Sequence, residues 1–460
     1  MRTIYLLLLL MLVSSPTLAV HECGAHHTAD DQEKDKTAVH GCAHLQESDF
    51  FYGDPRTDAP ELAARGDYQV GVRTMHVVNT EQLDILNYSK EKPNPRYDRP
   101  LTLEVWYPAK LKPGERQVTT YSDVLGHGAN NPERPNLPFT FGGRAARNAQ
   151  PLEGDNAYPL VIVSHGHSGS RVLMTWLTEN LASKGYIVVA IDHTESTHAD
   201  AERIHSTLIH RPRDINFALD SIAKRGQGLE SFLSGIVDAE RTAVIGYSMG
   251  SYGALSAAGV GVSKGAVNFP GGVPGKHLAS LQAGSADYAA MLDKRIKVIV
   301  SLAQYAPPGF WSAQGIKNLR VPSLFIIGSQ DQTTGYAATQ WVFEHAINAA
   351  RYMLVFQGAI HEIATNPAPP LTYDRFREYV HYQEPAWDNR RLNNVNQHFI
   401  TAFLGKHLLG ETERYDKYLE LSPISNDSPR TDTSDPNYWT GFRNWTAIGM
   451  EFHHKPAQQD

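Results

Sequence analysis

The sequence predicts an α/β fold with a mostly parallel central sheet and helices on both faces. Three observations carry that expectation. Short continuous apolar runs recur, such as YPLVIVS at 158–164, YIVVAID at 186–192 and RTAVIGY at 241–247, as in strands covered on both sides. Stretches of helical periodicity alternate with them, which is the pattern of parallel strands joined by right-handed crossovers. The 460 residues, 41% hydrophobic and 20% charged, are also enough to bury a large core.

Taken in order, DYQVGVRTMHVVN and LTLEVWYPA read as half-buried, antiparallel strands opening the domain. The stretch between them, and the one that follows to residue 157, is rich in Pro, Gly, Asn and Arg and reads as loop. YPLVIVSHG is the first central strand, RVLMTWLTENLASKG a helix ending at Gly185, YIVVAIDH a strand and PRDINFALDSIAKRG a helix. RTAVIGYS is a strand and MGSYGALSAAGV a helix of small residues. Strands IKVIVSLAQ and VPSLFIIGS, helix YAATQWVFEHAINAA, strand RYMLVFQG and helix RLNNVNQHFITAFLGKHLLG complete the alternation. No internal repeat is visible. The domain is expected over 61–421, with 422–460, containing SNDSPRTDTSDPN, as an irregular tail packed on it.

The amino terminus reads as a processing segment. Arg2, an apolar core from Ile4 to Val13 and small residues near Thr17 and Ala19 form a signal peptide over 1–19. That core is too short for a spanning helix. A secreted or periplasmic protein without stable membrane insertion is expected. Residues 20–60 read as a flexible leader holding both cysteines, Cys23 and Cys42. In an oxidising compartment these are expected to pair as one disulfide. The histidines around them (His21, His26, His27, His40 and His44) keep a metal site conceivable, although no C-x-x-C spacing supports one. A net charge of −7 without a basic, aromatic-interleaved stripe argues against a nucleic-acid partner.

The chemistry centres on GYSMG, where Ser248 follows an apolar strand and precedes a helix. A serine hydroxyl becomes a nucleophile only beside a base and an oxyanion-stabilising site. Gly246 and Gly250 allow the sharp strand-to-helix turn that exposes it. The base is expected at His361, directly after RYMLVFQG, and the orienting acid at Asp331, after VPSLFIIGS. Asp192 and Glu362 are lesser rivals for the acid. Backbone amides of Met249 and of His167, in the loop SHGHSGS, are the expected oxyanion donors. His165 and His167 also raise a metal reading, which lacks further ligands at a clear spacing. No cofactor is called for. Tyr305, Phe310 and Trp311 in YAPPGFW are candidates for lining a substrate pocket.

The order Ser248, Asp331, His361 is that of α/β-hydrolases. The segment 158–200 together with GYSMGSYGA resembles bacterial predicted dienelactone hydrolases related to the platelet-activating-factor acetylhydrolases. The likeness extends from GDYQVGVRTM to HYQEPAWDNRRLNNVNQHFITAFL. Two departures matter. Dienelactone hydrolases proper use a cysteine where this chain has Ser248. The animal acetylhydrolases take their acid from the strand after the nucleophile helix, which here reads IKVIVSLAQY without a carboxylate. The acid at Asp331 is placed as in cutinase-like polyester hydrolases. Short cap insertions are expected in HTESTHADAERIHSTLIHRPRD and in 265–295, neither with a long apolar helix to cover an acyl tunnel. The resemblance implies a serine hydrolase of small-molecule or lipid carboxylic esters with short to medium acyl groups. An amidase, peptidase or lactone hydrolase with the same triad, or a non-catalytic binding protein, is the alternative. Oligomeric state is not legible.

Overall fold

The structure, a computed structural model, describes residues 45–46, 49–154, 157–305 and 307–458. The signal peptide and the Cys23–Cys42 pair lie outside the described residues. The long strands of the main sheet are β1 (Gln69–Leu83), β2 (Arg96–Lys110), β3 (Tyr158–Ser164), β4 (Ile187–Asp192), β5 (Val237–Tyr247), β6 (Ile296–Leu302), β7 (Ser323–Gly328), β8 (Arg351–Phe356) and β9 (Met450–Lys455). They stand in the order β9-β8-β7-β6-β5-β3-β4-β2-β1. Strands β3 to β8 run parallel, β2 lies antiparallel to both β1 and β4, and β9 lies antiparallel to β8. The residues of β3, β7 and β8 are all buried, which is why their sequences show no polar alternation.

Five longer helices connect these strands: α1 (Thr175–Ser183), α2 (Ile204–Gln227), α3 (Met249–Ala257), α4 (Tyr336–His345) and α5 (Asn389–His407). From β3 the chain crosses to β4 on one side, then returns over β3 to β5 on the other. Right-handed crossovers therefore put α1 and α2 on opposite faces, where α1 packs on α5 and α2 on α3. The reversal leaves a crevice at the carboxyl ends of β3 and β5, where open α/β sheets bind their ligands.

Helix α2 begins well before the expected start and takes in half of a supposed cap insertion, with Pro212 inside it. Proline has no N–H for the carbonyl four residues back. The Tyr252 hydroxyl on α3 donates to that Leu208 carbonyl at 2.7 Å, so the helix continues without an orphaned oxygen. The second insertion folds into short helices that bind α2, through Arg213 to Ser280 and Asn216 to the Met291 carbonyl.

Three expectations are corrected. The supposed loop to residue 157 contains an antiparallel hairpin, Thr119–Leu125 with Leu137–Gly143, whose buried Tyr121 packs on Phe141. Residues 49–60, expected to be part of a flexible leader, are fixed against the domain. Polar side chains of α5 hold their backbone: Asn394 accepts from the Arg56 amide and Gln397 donates to the Gly53 carbonyl. The tail is also not merely draped, since it supplies β9 and the fully buried Trp439.

Candidate active site

Ser248 sits between β5 and α3 at φ 54° and ψ −116°, in the region that L residues rarely adopt. Two neighbours explain the glycines. A Cβ on Gly246 would lie 2.3 Å from the Gly250 carbonyl carbon, and one on Gly250 only 1.9 Å from the Ser164 carbonyl oxygen. The turn can close only where both are bare. Its backbone is tied into the sheet: the Ser248 amide donates to the Leu302 carbonyl at 2.9 Å, and the Tyr305 amide to the Ser248 carbonyl at 3.2 Å.

The side chains expected to form a triad meet. His361 Nε2 lies 3.0 Å from Ser248 Oγ, and His361 Nδ1 lies 2.9 Å from Asp331 Oδ2. With the carboxylate accepting from Nδ1–H, Nε2 is left as the acceptor for the serine hydroxyl. Thr334 completes the acid's surroundings, its amide donating to Oδ1 at 2.8 Å and its hydroxyl to Oδ2 at 2.7 Å. Burial would push the Asp331 carboxyl up, but His361 and the Thr334 donors outweigh it and hold the group down at about 2. The histidine loop is buttressed in turn by Glu384, fully buried, which accepts from the Ile360 amide at 3.0 Å. Thr334 and Glu384 were not among the expected residues. A hydroxyl three residues after an aspartate is a legible turn signal, whereas nothing local marks Glu384.

The His361 ring pairs with Asp331 and with neither rival acid. Asp192 is held by the amide and guanidinium of Arg171, each at 2.6 Å. Burial pushes the Glu362 carboxyl up to about 7, against the pull of His361. The loop after β3 approaches the nucleophile, since a Cβ on Gly166 would lie 3.4 Å from the Ser248 Cβ. Among the described residues, neither the His167 nor the Met249 amide donates to a protein acceptor. The His165 ring instead bonds within its loop and to the His193 amide.

Of the aromatic trio, Tyr305 and Phe310 are half-buried, with ring centroids 6.2 Å apart. Trp311 is corrected to a core residue: 3% exposed, it stacks on buried Tyr252 at 6.3 Å.

Comparison with known proteins places likeness on one side of this site. Residues 140–269 match the PET hydrolase-like family. Cutinase est1 of Thermobifida alba is 35% identical over 101 residues, 22% of this chain and 30% of that protein. Cutinase 2 of Thermobifida cellulosilytica is 34% identical over 101 residues, 22% of this chain and 34% of its own length. The chain thus spans about a third of the curated relatives it matches. A ferulic acid esterase from Streptomyces cinnamoneus is 22% identical, with a TM-score of 0.49, covering 76% of this chain and 94% of that one. The family match takes in β3, the elbow and α3 but stops before Asp331 and His361; the sheet order and the placing of those two side chains complete the pattern of an α/β-hydrolase fold.

Proposed function

We propose that this chain is an exported serine hydrolase that cleaves carboxylic esters of short to medium acyl groups through an acyl-enzyme. The observation that carries the reading is the Ser248–His361–Asp331 relay, 3.0 and 2.9 Å at its two links, at the carboxyl edge of the sheet. Ser248 Oγ attacks the ester carbonyl carbon while its proton passes to His361 Nε2. The oxyanion forms against the His167 and Met249 amides. The departing alkoxide takes the proton from Nε2, and water then enters by the same route to release the acid and restore Ser248. Asp331 stays ionised and holds the imidazolium. Likeness to cutinases and to the PET hydrolase-like family favours esters of polyester type among the substrates. The half-buried rings of Tyr305, whose amide binds the Ser248 carbonyl, and Phe310 beside it are the proposed contacts of the acyl group. Export rests on the signal-like residues 1–19; no helix of the described residues is long and apolar enough to cross a membrane.

The test is a chain-length panel of p-nitrophenyl esters, run beside matched amides and lactones and a short aliphatic polyester. Ester turnover falling off beyond medium acyl lengths is the expected result. Amide or lactone turnover exceeding ester turnover would overturn the substrate class.

A further inference from the structure

Behind the loop after β3 lies a second Ser–His–Asp arrangement. Ser164, at the end of β3, has its Oγ 2.9 Å from His193 Nε2, and His193 Nδ1 lies 2.9 Å from Asp214 Oδ2 on α2. All three are buried at 0–1% exposure, so no substrate reaches this serine. Arg99, also buried, grips Asp214 with Nε and Nη2, each at 2.9 Å. Burial and Arg211 push the His193 imidazole down to about 3, so it is neutral. It then donates from Nδ1 to the carboxylate and accepts from the Ser164 hydroxyl on Nε2.

From this relay, contacts run to the oxyanion loop by two routes. The His193 amide donates to His165 Nε2 at 3.2 Å, which leaves the His165 proton on Nδ1. That N–H donates to the Gly166 carbonyl at 2.6 Å. Arg211, one helical turn before Asp214 on α2, donates Nη1 to the His165 carbonyl and Nη2 to Ser196 Oγ. The Ser196 hydroxyl therefore turns its own proton to His167 Nδ1, 3.0 Å away. Arg211 also fills the space beside Gly253 of the nucleophile helix, where a Cβ would lie 2.5 Å from its Cγ.

The geometry of one peptide plane joins these facts to catalysis. In a trans peptide the C=O and the following N–H point opposite ways. The Gly166 carbonyl is drawn towards the His165 ring and Arg211 of α2, so the His167 N–H faces away from them, in a loop whose Gly166 abuts Ser248.

We infer that Asp214, His193, Arg211 and Ser196 are positioning residues that aim the His167 amide at the developing oxyanion and fix the His167 ring in its Nε2–H form. The inference rests on the ester-hydrolase reading and assigns the buried relay no nucleophilic role.

The test compares Ser196→Ala and Asp214→Asn with wild type on a p-nitrophenyl ester. Affinity for an alkyl boronic acid, which mimics the tetrahedral adduct, and the melting temperature are measured alongside. A whole oxyanion donor is worth about 10²–10³ in kcat. Misaiming one is expected to cost about tenfold in kcat in Ser196→Ala and more in Asp214→Asn. KM should stay within about twofold, and boronate affinity should fall in parallel with kcat. Should Asp214→Asn fail to fold, Ser196→Ala, which removes one hydroxyl, decides alone. Folded variants that keep wild-type kcat and boronate affinity while melting lower would overturn the inference and leave a purely structural core. A wild type that neither turns over any ester nor takes up a phosphonate at Ser248 would instead overturn the functional reading beneath it.

Discussion

The described residues contain the same three side chains twice, at nearly the same distances, in surroundings that differ. At Ser248 the links are 3.0 and 2.9 Å; at Ser164 they are 2.9 and 2.9 Å. The difference lies in what surrounds each serine. Ser248 stands in a turn at positive φ, 8% exposed, with two uncommitted amides near it. Ser164 ends a strand at 0% exposure, and its carbonyl oxygen packs against Gly250. The acids differ too: Asp331 is held by neutral Thr334 donors, Asp214 by the Arg99 guanidinium. A charge-paired acid steadies a permanent network. A hydroxyl-bound acid leaves its histidine free to take up a proton and be stabilised for doing so. Distances alone therefore do not define a catalytic triad; access and unspent donors do.

The sharpest way to break the comparison is to remove each serine in turn. Ser248→Ala is expected to lower turnover by about 10⁴-fold or more, and Ser164→Ala by no more than about tenfold. Mass spectrometry after treatment with an organophosphonate should find one adduct, on the peptide bearing Ser248; an adduct on Ser164 would show that the buried set reacts. Next in size is the acid. Asp331→Asn puts the histidine in the wrong tautomer and should cost about 10³- to 10⁴-fold in kcat, while Asp192→Asn and Glu362→Gln remain mild. Steady-state kinetics with a severe loss at Asp192 and a mild one at Asp331 would move the acid to another strand.

A smaller effect is expected in stability at low pH. The Asp331 carboxyl falls from its ordinary 3.8 to about 2 in the folded chain, so the unfolded chain binds this proton more readily. Its contribution is fully present above about pH 4 and is lost as pH falls towards 2. Urea midpoints of wild type and Asp331→Asn should converge over that window, and a gap that stays constant would contradict the assignment. Smallest is Tyr252→Phe, which removes a hydroxyl bonded to α2 and to neither serine. It leaves the Leu208 carbonyl beside Pro212 without its donor, a cost of about 1–3 kcal/mol. The melting temperature should fall with kcat at 25 °C unchanged.

Much of this was legible in the sequence because it depends on local order. Strand, GYSMG and helix are contiguous, and each later site residue follows an apolar strand directly. The relay behind the oxyanion loop was not legible. Its members stand at 99, 164, 193, 196, 211 and 214, each ordinary where it stands, and only the packing of β2, β3, β4 and α2 unites them. A faint signal was present in Asp214, an acidic residue on the buried side of an amphipathic helix. The hairpin at 119–143 was hidden by its turn-rich composition, and its strands are settled by Tyr121 and its ring partners in the core. Strand β9 escaped notice because MEFHHK is short and mostly polar, and pairing with β8 decides its conformation. Trp311 was misplaced because sequence cannot tell an aromatic that faces a cleft from one that lies a layer beneath it.

Strand β9 has a consequence for how the chain is made. Synthesis runs from the amino terminus, and of the described strands β9 is the last to appear. It pairs with β8 from Phe356 opposite Met450 to Arg351 opposite Lys455, and the Gln357 amide binds the Gly449 carbonyl at 2.8 Å. Until then β8, the most apolar flank of a nearly finished sheet, carries a row of unmatched backbone donors and acceptors. Such a row invites another chain to take the vacant place. A chain cut short before residue 450 therefore keeps an adhesive side where β9 would have paired.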